Sequence, residues 1–495
     1  MLGTLSSFFD PAYETRDGLP TFRLFMHGLW LDAKGGASFN VDTPIDDSVV
    51  ARVPNASPSD VEAAIDAALA GHRAMEAIPG VDRIDLLEKA RELLLQHKED
   101  FIRTLTAEAG KPPKDGEGEV SATAERFRLA MQESRHVFGE FIPGEWSKDT
   151  KGRVAIVARV PLGIVGAICP FNYPLFIAAA KAIPALLAGN SVVLKPASDT
   201  PLSMILFARV LEEAGIPAGA FNVVTGRGAS VGEAIASSDK ISMISFTGST
   251  EVGEAIVKVG GIKKFHLELG GKGMAIVLDD ADLELAAEKC LEGSLKNAGQ
   301  RCDAISSILV VNDVADAFVN HLSNGMGGWR HGDPREPGVK VGPLINPAAA
   351  NHVRKLIADA IENGAKLVRG GKGRSCYVEP SLLDHVPIAA RIAFEETFGP
   401  VATVIRIKDI DEAIQISRMS RYGLDSCVFT GDYRRVWQVA SRLRVGELTV
   451  NDHPRHGVGF FPFGGSKASG IGREGIGYSI DEMTELKTIV FNLER

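Results

Sequence analysis

Three short runs, Ile164-Val-Gly-Ala-Ile-Cys169, Pro170-Phe-Asn-Tyr-Pro174 and Val192-Val-Leu-Lys195, decide the fold. The first and third are continuous apolar runs of strand length, and the second is a proline-bounded turn that leads into a helix-length segment. Strand, helix and strand in that order predict a βαβ unit and a parallel sheet with helices on both faces. The rhythm repeats downstream, with a helix near Leu202 to Ala214 and strands at Phe221 to Thr225, Met243 to Phe246 and Phe265 to Leu269. A second alternating region starts at Met274-Ala-Ile-Val-Leu278. It runs through Ile308 to Val311 and Val401 to Ile405 as far as Leu448 to Asn451, and predicts a second α/β domain. Ligands of such sheets gather beyond the carboxyl ends of the strands. The polar clusters Asn172, Lys195 to Ser198 and Thr247 to Ser249 fall where a cofactor would lie. Upstream, Ser59-Asp-Val-Glu62 predicts a capping box that opens a helix toward Met75. Ile84, Leu87, Leu94 and Leu95 mark a second helix continuing to Ala109. The tail Thr488 to Phe491 has strand character, and a short apolar strand there predicts pairing, with another subunit as one candidate partner.

Composition narrows the class. At 495 residues the chain exceeds one ordinary core, so two or three domains are expected. A hydrophobic fraction of 45% and a charged fraction of 24% describe a globular protein. A net charge of −9 gives no basic field for nucleic acid. The N-terminus lacks a basic n-region and an apolar core, which argues against a signal peptide. The most apolar later stretch, Tyr173 to Gly189, is interrupted by Lys181 and Pro184 and is too short for a bilayer, so no membrane partner is expected. The five cysteines are odd in number and form no C-x-x-C pair, which fits free thiols in the cytoplasm. The histidines are scattered, and His453 and His456 lack a ligand set at metal-binding spacing, so no metal is expected.

Two segments carry chemistry. Asn297-Ala-Gly-Gln-Arg-Cys302 offers a thiol beside a cation, and Gly299 permits close backbone approach. Arg301 would lower the thiol's pKa or hold an anion; otherwise Cys302 is a buried thiol. His266-Leu-Glu-Leu-Gly-Gly-Lys272 places Glu268 at a strand end among apolar neighbours, where burial raises a carboxyl toward general-base range. The alternative for Glu268 is an ion pair with Lys272 or Lys264. Asn172 would donate to an oxyanion or cap its turn. Thiol and carboxylate together suit covalent attack on a carbonyl carbon followed by base-assisted release with water. The glycine runs are weaker signals. Gly226-Arg-Gly228-Ala-Ser-Val-Gly232 is one residue off the dinucleotide fingerprint, and Gly248-Ser-Thr-Glu-Val-Gly253 lacks a P-loop ending. An anion at the latter helix start and a plain turn both remain open.

In this order, Pro170-Phe-Asn-Tyr-Pro174, Lys195-Pro196, Phe246-Thr-Gly-Ser-Thr250, Leu267-Glu-Leu-Gly-Gly-Lys272, Gly299-Gln-Arg-Cys302, Glu395-Glu-Thr-Phe-Gly-Pro400 and Pro462-Phe-Gly-Gly465 closely resemble the aldehyde dehydrogenase superfamily. Asn451-Asp-His-Pro-Arg-His-Gly457 and Arg473-Glu-Gly-Ile-Gly-Tyr478 are most similar to its archaeal-type non-phosphorylating glyceraldehyde-3-phosphate dehydrogenase branch. The resemblance implies an α/β fold in three parts. A Rossmann-type dinucleotide-binding domain would take residues 1–145 and 165–273, an α/β catalytic domain 274–470, and oligomerisation strands 146–164 and 478–495. It implies that Cys302 attacks the aldehyde, that the Asn172 amide and the Cys302 N–H hold the oxyanion, and that Glu268 activates water against the thioester. For the cofactor it implies Glu396 on the nicotinamide ribose, with Phe398 and Phe171 near the ring. Lys195 would bind the adenosine ribose, Gly248 and Ser249 the pyrophosphate, and Gly228 a loop along the cofactor. It also implies a homotetramer or homodimer. Relatives that pass the acyl group to coenzyme A lack the glutamate, so Glu268 implies water as acceptor and a free acid as product.

Cofactor and substrate choice follow from particular positions. NAD-specific relatives place a carboxylate three residues after the lysine, whereas this chain has Ser198, which would admit a 2′-phosphate beside Lys195. NADP is therefore expected, with NAD accepted if neighbouring Asp199 turns inward. Arg301 and Tyr173 fit the positions where phosphate-binding relatives clamp their substrate. The arginine those relatives carry on an upstream helix falls on Ala122, with Arg126 one turn further on as a substitute. Arg455 and His456 are further candidates at the substrate mouth. The expected reaction is NADP-dependent oxidation of glyceraldehyde-3-phosphate to 3-phosphoglycerate. The alternative is a dehydrogenase of small unphosphorylated aldehydes such as glyceraldehyde or lactaldehyde. A non-catalytic descendant is disfavoured by intact Cys302, Glu268 and Asn172.

Overall fold

The computed structural model describes residues 2–227, 229–455 and 457–493. Its largest sheet has eight strands. In spatial order they are Gly470–Ile471, Lys264–Glu268, Met243–Thr247, Ile164–Ile168, Ser191–Lys195, Phe221–Val223, Leu24–Met26 and Leu29–Leu31. The five central strands are parallel. Ile164–Ile168, first of the five in sequence, lies in the middle. The chain winds outward from it in both directions, which makes its carboxyl end the switch point where such sheets open a crevice. Register sets the geometry there. Ile168 lies opposite both Lys195 and Phe246, and Thr247 opposite Glu268. The turns after these strands therefore share one edge. The strands are buried on both faces, as helix-covered parallel strands are, which is why they read as unbroken apolar runs.

A second sheet of seven strands runs Lys366–Arg369, Ser381–Asp384, Val401–Ile407, Ile305–Val311, Gly273–Val277, Asp425–Phe429 and Glu447–Val450. All of its pairs are parallel except the first. Each large sheet has its own buried apolar cluster. The tail strand Thr484–Asn492 pairs antiparallel along its full length with Arg153–Pro161, which also pairs with Glu140–Pro143. The tail thus finds its partner within the chain and keeps one open edge. Tyr478 to Glu482, expected in that strand, instead complete the helix Ile476–Glu482.

Two local expectations need correction. The capping box is Ser57 with Asp60, not Ser59 with Glu62, and the helix runs Pro58–Ala77. Pro58 sits at the first helical position, where its fixed φ and missing N–H favour an earlier start. The long second helix is two helices, Gly80–Gln96 and Lys98–Ala109, broken at His97. There the imidazole stacks on Phe8 at 4.1 Å and approaches Ser6 Oγ at 3.3 Å. Among the described residues no helix is long and apolar enough to cross a membrane.

Candidate active site

A cavity of about 520 Å³ opens beside the switch point and is lined by Asn172, Tyr173, Glu268, Arg301 and Cys302, among others. The sequence-flagged thiol, carboxylate and amide are therefore brought together. The loop that delivers Cys302 is unusual. Asn297, Ala298 and Gly299 are three consecutive left-handed residues, with φ of 52°, 54° and 72°. A Cβ at Gly299 would collide with the Gly399 carbonyl, the close approach expected of this glycine. A Cβ at Gly271 would strike the Cys302 carbonyl, so the glycines after Glu268 let the thiol loop rest on the carboxylate's strand end.

Asn172 is buried and donates from Nδ2 to the Gln300 carbonyl at 2.9 Å, while its own carbonyl accepts from Asn297 Nδ2 at 3.2 Å. The amide thus points at the thiol loop, and its second N–H is left for an oxyanion. Glu268 makes neither of the alternative ion pairs. Lys272 Nζ donates to Thr397 Oγ1 and the Ser306 carbonyl, and Lys264 Nζ to the carbonyls of Glu482 and Thr484. Burial pushes the Glu268 carboxyl well above the usual range and the Glu474 charge adds to it, while Lys181, Arg473 and the Glu474 backbone N–H oppose it. Glu268 Oε1 lies 3.1 Å from His266 Nε2, and Oε2 has no hydrogen-bond partner.

Arg301 attracts the charged form of Cys302, but other groups outweigh it. Its guanidinium is engaged by Asp303 through Nε at 3.0 Å and Nη2 at 2.6 Å. Burial and the carboxylates Asp303, Asp425, Glu268 and Glu396 push the Cys302 thiol well up, so it is held protonated in this state. Arg301 Nη1, by contrast, is buried with no hydrogen-bond partner, on a side chain that lines the cavity.

Tyr173 lines the same cavity, with the Lys111 ammonium 3.8 Å from its ring centroid. Arg455 stands exposed at the mouth with Asp452 at 3.6 Å. Arg126 does not line the cavity. It is buried behind it, donating to the Val458 carbonyl at 3.1 Å and paired with Glu474 at 3.5 Å. Lys111, Lys114 and Lys296 also line the cavity and were not singled out from the sequence. Lys114, on the helix beginning at Pro113, and Lys111 just before it reach this site only through tertiary packing, whereas Lys296 directly precedes the Asn297 to Cys302 run. His456 and Gly228 lie outside the described residues.

The residues expected to hold a dinucleotide share the crevice edge. Lys195 is buried and has one hydrogen-bond acceptor, the Pro196 carbonyl at 3.1 Å, which leaves ammonium donors for a ribose or phosphate. Ser198 Oγ donates to the Gly226 carbonyl at 3.0 Å. Asp199 interacts with both Arg227 and Lys195. Ser249 caps the helix Thr250–Gly260, whose positive end follows Gly248. Glu396 Oε1 accepts from Gly271 N at 3.0 Å, and burial lifts its carboxyl to about 6. The Phe171 and Phe398 rings meet edge-on at 5.7 Å. This donor set suits a phosphorylated dinucleotide. Among the described residues no cluster of His, Cys, Asp or Glu could hold a metal ion.

Comparison with known proteins agrees with this arrangement. The profile of the aldehyde dehydrogenase family matches residues 30–489. The NADP-dependent glyceraldehyde-3-phosphate dehydrogenase of Streptococcus equinus is 39% identical over 475 residues, 96% of this chain and 99% of that one. The NADP-dependent succinate-semialdehyde dehydrogenase of Escherichia coli K12 is 37% identical over 478 residues, 94% and 97% of the two chains. The crystal structure of the NADP-dependent glyceraldehyde-3-phosphate dehydrogenase from Bacillus halodurans C-125, complexed with NADP, matches at a TM-score of 0.94. It is 39% identical and covers 95% of this chain and 99% of that one.

Proposed function

Given that the chain belongs to the aldehyde dehydrogenase family, we propose that it oxidises glyceraldehyde-3-phosphate to 3-phosphoglycerate with NADP and without phosphorylation. The Cys302 thiol gives its proton to the Glu268 carboxylate on the same cavity, from which it is released to water. Sγ attacks the aldehyde carbon, and the oxyanion is met by the free Asn172 N–H and the Cys302 backbone N–H. The nicotinamide, when bound, supplies hydride acceptance, which leaves the acyl group as a thioester on Cys302. Glu268, on the same cavity, takes a proton from the water that attacks this thioester and frees the acid. Lys195, Ser198 and Arg227 receive the adenosine ribose and its 2′-phosphate, Ser249 the pyrophosphate, and Glu396 the nicotinamide ribose.

The observation that carries the substrate choice is Arg301. Its Nη1 is buried, unpartnered and on a cavity-lining side chain. A buried guanidinium N–H left open calls for an anionic acceptor. Lys114 and Lys296 at the exposed mouth have no ion pair among the described residues, which adds positive charge for a phosphate. The second reading, small unphosphorylated aldehydes, draws on Asp303, which already closes two of the guanidinium donors. Sequence identity does not separate substrates, since relatives named for different aldehydes stand at 39% and 37%. Arg301→Ala decides between the readings. It is expected to raise KM for glyceraldehyde-3-phosphate far more than for glyceraldehyde, and equal effects on both would remove the phosphate clamp. The exposed tail strand, with Leu486, Ile489, Val490 and Phe491 open to solvent, supports assembly into a homodimer or homotetramer.

A further inference from the structure

A buried line of carboxylate, imidazole and carboxylate runs away from the reacting groups, and the steps above leave its far end unused. His266 and Glu268 alternate on the strand Lys264–Glu268, so both side chains leave the sheet on one face. His266 Nε2 is hydrogen-bonded to Glu268 Oε1 at 3.1 Å, whereas His266 Nδ1 stands 3.2 Å from Glu482 Oε2 with neither of these two buried atoms hydrogen-bonded. Glu482 ends the helix Ile476–Glu482 and accepts from Arg473 N at 2.9 Å. Its side chain is 29% exposed, against 1% for His266 and 4% for Glu268. The line therefore leads from the cavity wall toward solvent.

Other charges surround the imidazole. Burial lowers its pKa to about 4, and Lys181, Arg126 and Arg473 add to this while Glu474 opposes it. The ring is thus neutral near pH 7 and carries a single N–H between two carboxyl groups. If that N–H is on Nδ1, it lies near Glu482 without bonding to it, and the bare Nε2 accepts from a protonated Glu268. If it is on Nε2, it donates to an ionised Glu268, and Glu482 holds the other proton against the bare Nδ1. The two arrangements interconvert when the Glu268 proton passes to Nε2 and, once a small turn of the Glu482 carboxyl brings Oε2 into line with Nδ1, the Nδ1 proton passes to Glu482.

We propose that His266 and Glu482 are positioning residues for Glu268, and that the imidazole tautomer couples the charge on Glu268 to the charge on Glu482. This rests on Glu268 acting as the base in the reaction above. In this arrangement His266 holds Oε1, which leaves the unpartnered Oε2 for the attacking water. Glu482 serves as the second seat of the proton, near enough to solvent to exchange it.

The test is the rate of thioester hydrolysis, measured against pH by rapid quench with glyceraldehyde-3-phosphate and NADP. Glu482→Gln removes a negative charge and offers an amide N–H to Nδ1, so both effects favour the Glu268 carboxylate. The midpoint of the acid limb is expected to fall by about one pH unit. His266→Val removes the donor and should move the midpoint up by about as much, with His266→Gln restoring most of it. Midpoints that stay at the wild-type value, or that move in one common direction while the maximal rate falls, would overturn the coupling. Should His266→Val not fold, the sign of the Glu482→Gln shift decides alone. Glu268→Gln separates the two ideas. If it leaves the acid limb intact, Glu268 is not the base. If it abolishes the limb while the other variants leave the midpoint unmoved, only the coupling fails.

Discussion

Removing the charge from Glu119 should destabilise the protein through Lys111, and removing both partners should restore it. Lys111 Nζ lies 2.5 Å from Glu119 Oε2, with side chains 1% and 0% exposed. Glu119 Oε1 accepts from Leu175 N at 3.0 Å and Phe176 N at 3.1 Å. Those N–H groups open the helix Pro174–Leu187, directly after Asn172 and Tyr173. Glu119→Gln keeps an oxygen for the helix start but strands a buried ammonium, a loss of about 3–5 kcal/mol. Glu119→Ala also orphans the two N–H groups and should lose about 1–2 kcal/mol more. Lys111→Met with Glu119→Gln removes both charges at similar volume and should return to within about 1 kcal/mol of wild type. The pair's coupling would then be at least about 2 kcal/mol in a double-mutant cycle. Urea unfolding followed by fluorescence, at fixed protein concentration because assembly adds to stability, reads wild type, Glu119→Gln, Glu119→Ala, Lys111→Met and the double variant. A Glu119→Gln protein as stable as wild type would refute the reasoning, and so would a double variant no better than the single.

Other consequences are simpler to test. Ser198→Glu places a carboxylate where a 2′-phosphate is expected, so kcat/KM with NADP should fall by about tenfold or more while NAD changes less; kinetics with both cofactors check this. Burial holds the Glu268 carboxyl high, with Glu474 adding to the effect; because the base must be ionised, thioester hydrolysis should slow as pH falls through its midpoint, about tenfold per unit below it. In Glu268→Gln one equivalent of NADPH should form in a burst and turnover should then stall, as seen by stopped-flow absorbance. Leu486→Glu with Val490→Glu charges two side chains of the tail strand that are each 60% exposed, and light scattering should show a smaller assembly with the chain still folded.

The parallel core was legible because burial on both faces turns a strand into a continuous apolar run, as in Ile164–Ile168 and Ser191–Lys195. The strands that escaped notice break that rule. Leu24–Met26 and Leu29–Leu31 are three residues each at a sheet edge. Lys366–Arg369 is largely exposed, and Asp425–Phe429 opens on a buried aspartate. The thiol, amide and carboxylate stood out because each sits in a short run of glycine, proline and polar residues at a strand end. Their supports did not. Asn172 meets Gln300 across 128 positions and Glu119 meets Leu175 across 56, distances over which spacing in the chain says nothing about contact. Arg301 shows the limit from the other side: the residue was visible, but Asp303, two positions on, changes what it can do.

Backbone strain ties the thiol side of the cavity to its cofactor side. Non-glycine residues in the left-handed region cost about 1–2 kcal/mol each. Asn297, Ala298 and Phe398 all lie there, the last at φ 46°. Such a conformation persists only where contacts fix it, and here the contacts form a ring. Asn297 Nδ2 donates to the carbonyls of Asn172 and Gln300, and Gln300 Nε2 donates back to the Asn297 carbonyl. Gly299 is pressed against the Gly399 carbonyl, directly after Phe398. Phe398 packs on Phe171, the neighbour of Asn172. Each strained loop is thus held by the other, and the ring passes through the oxyanion amide. A change at Phe398 or Phe171 therefore reaches the Cys302 loop through backbone geometry.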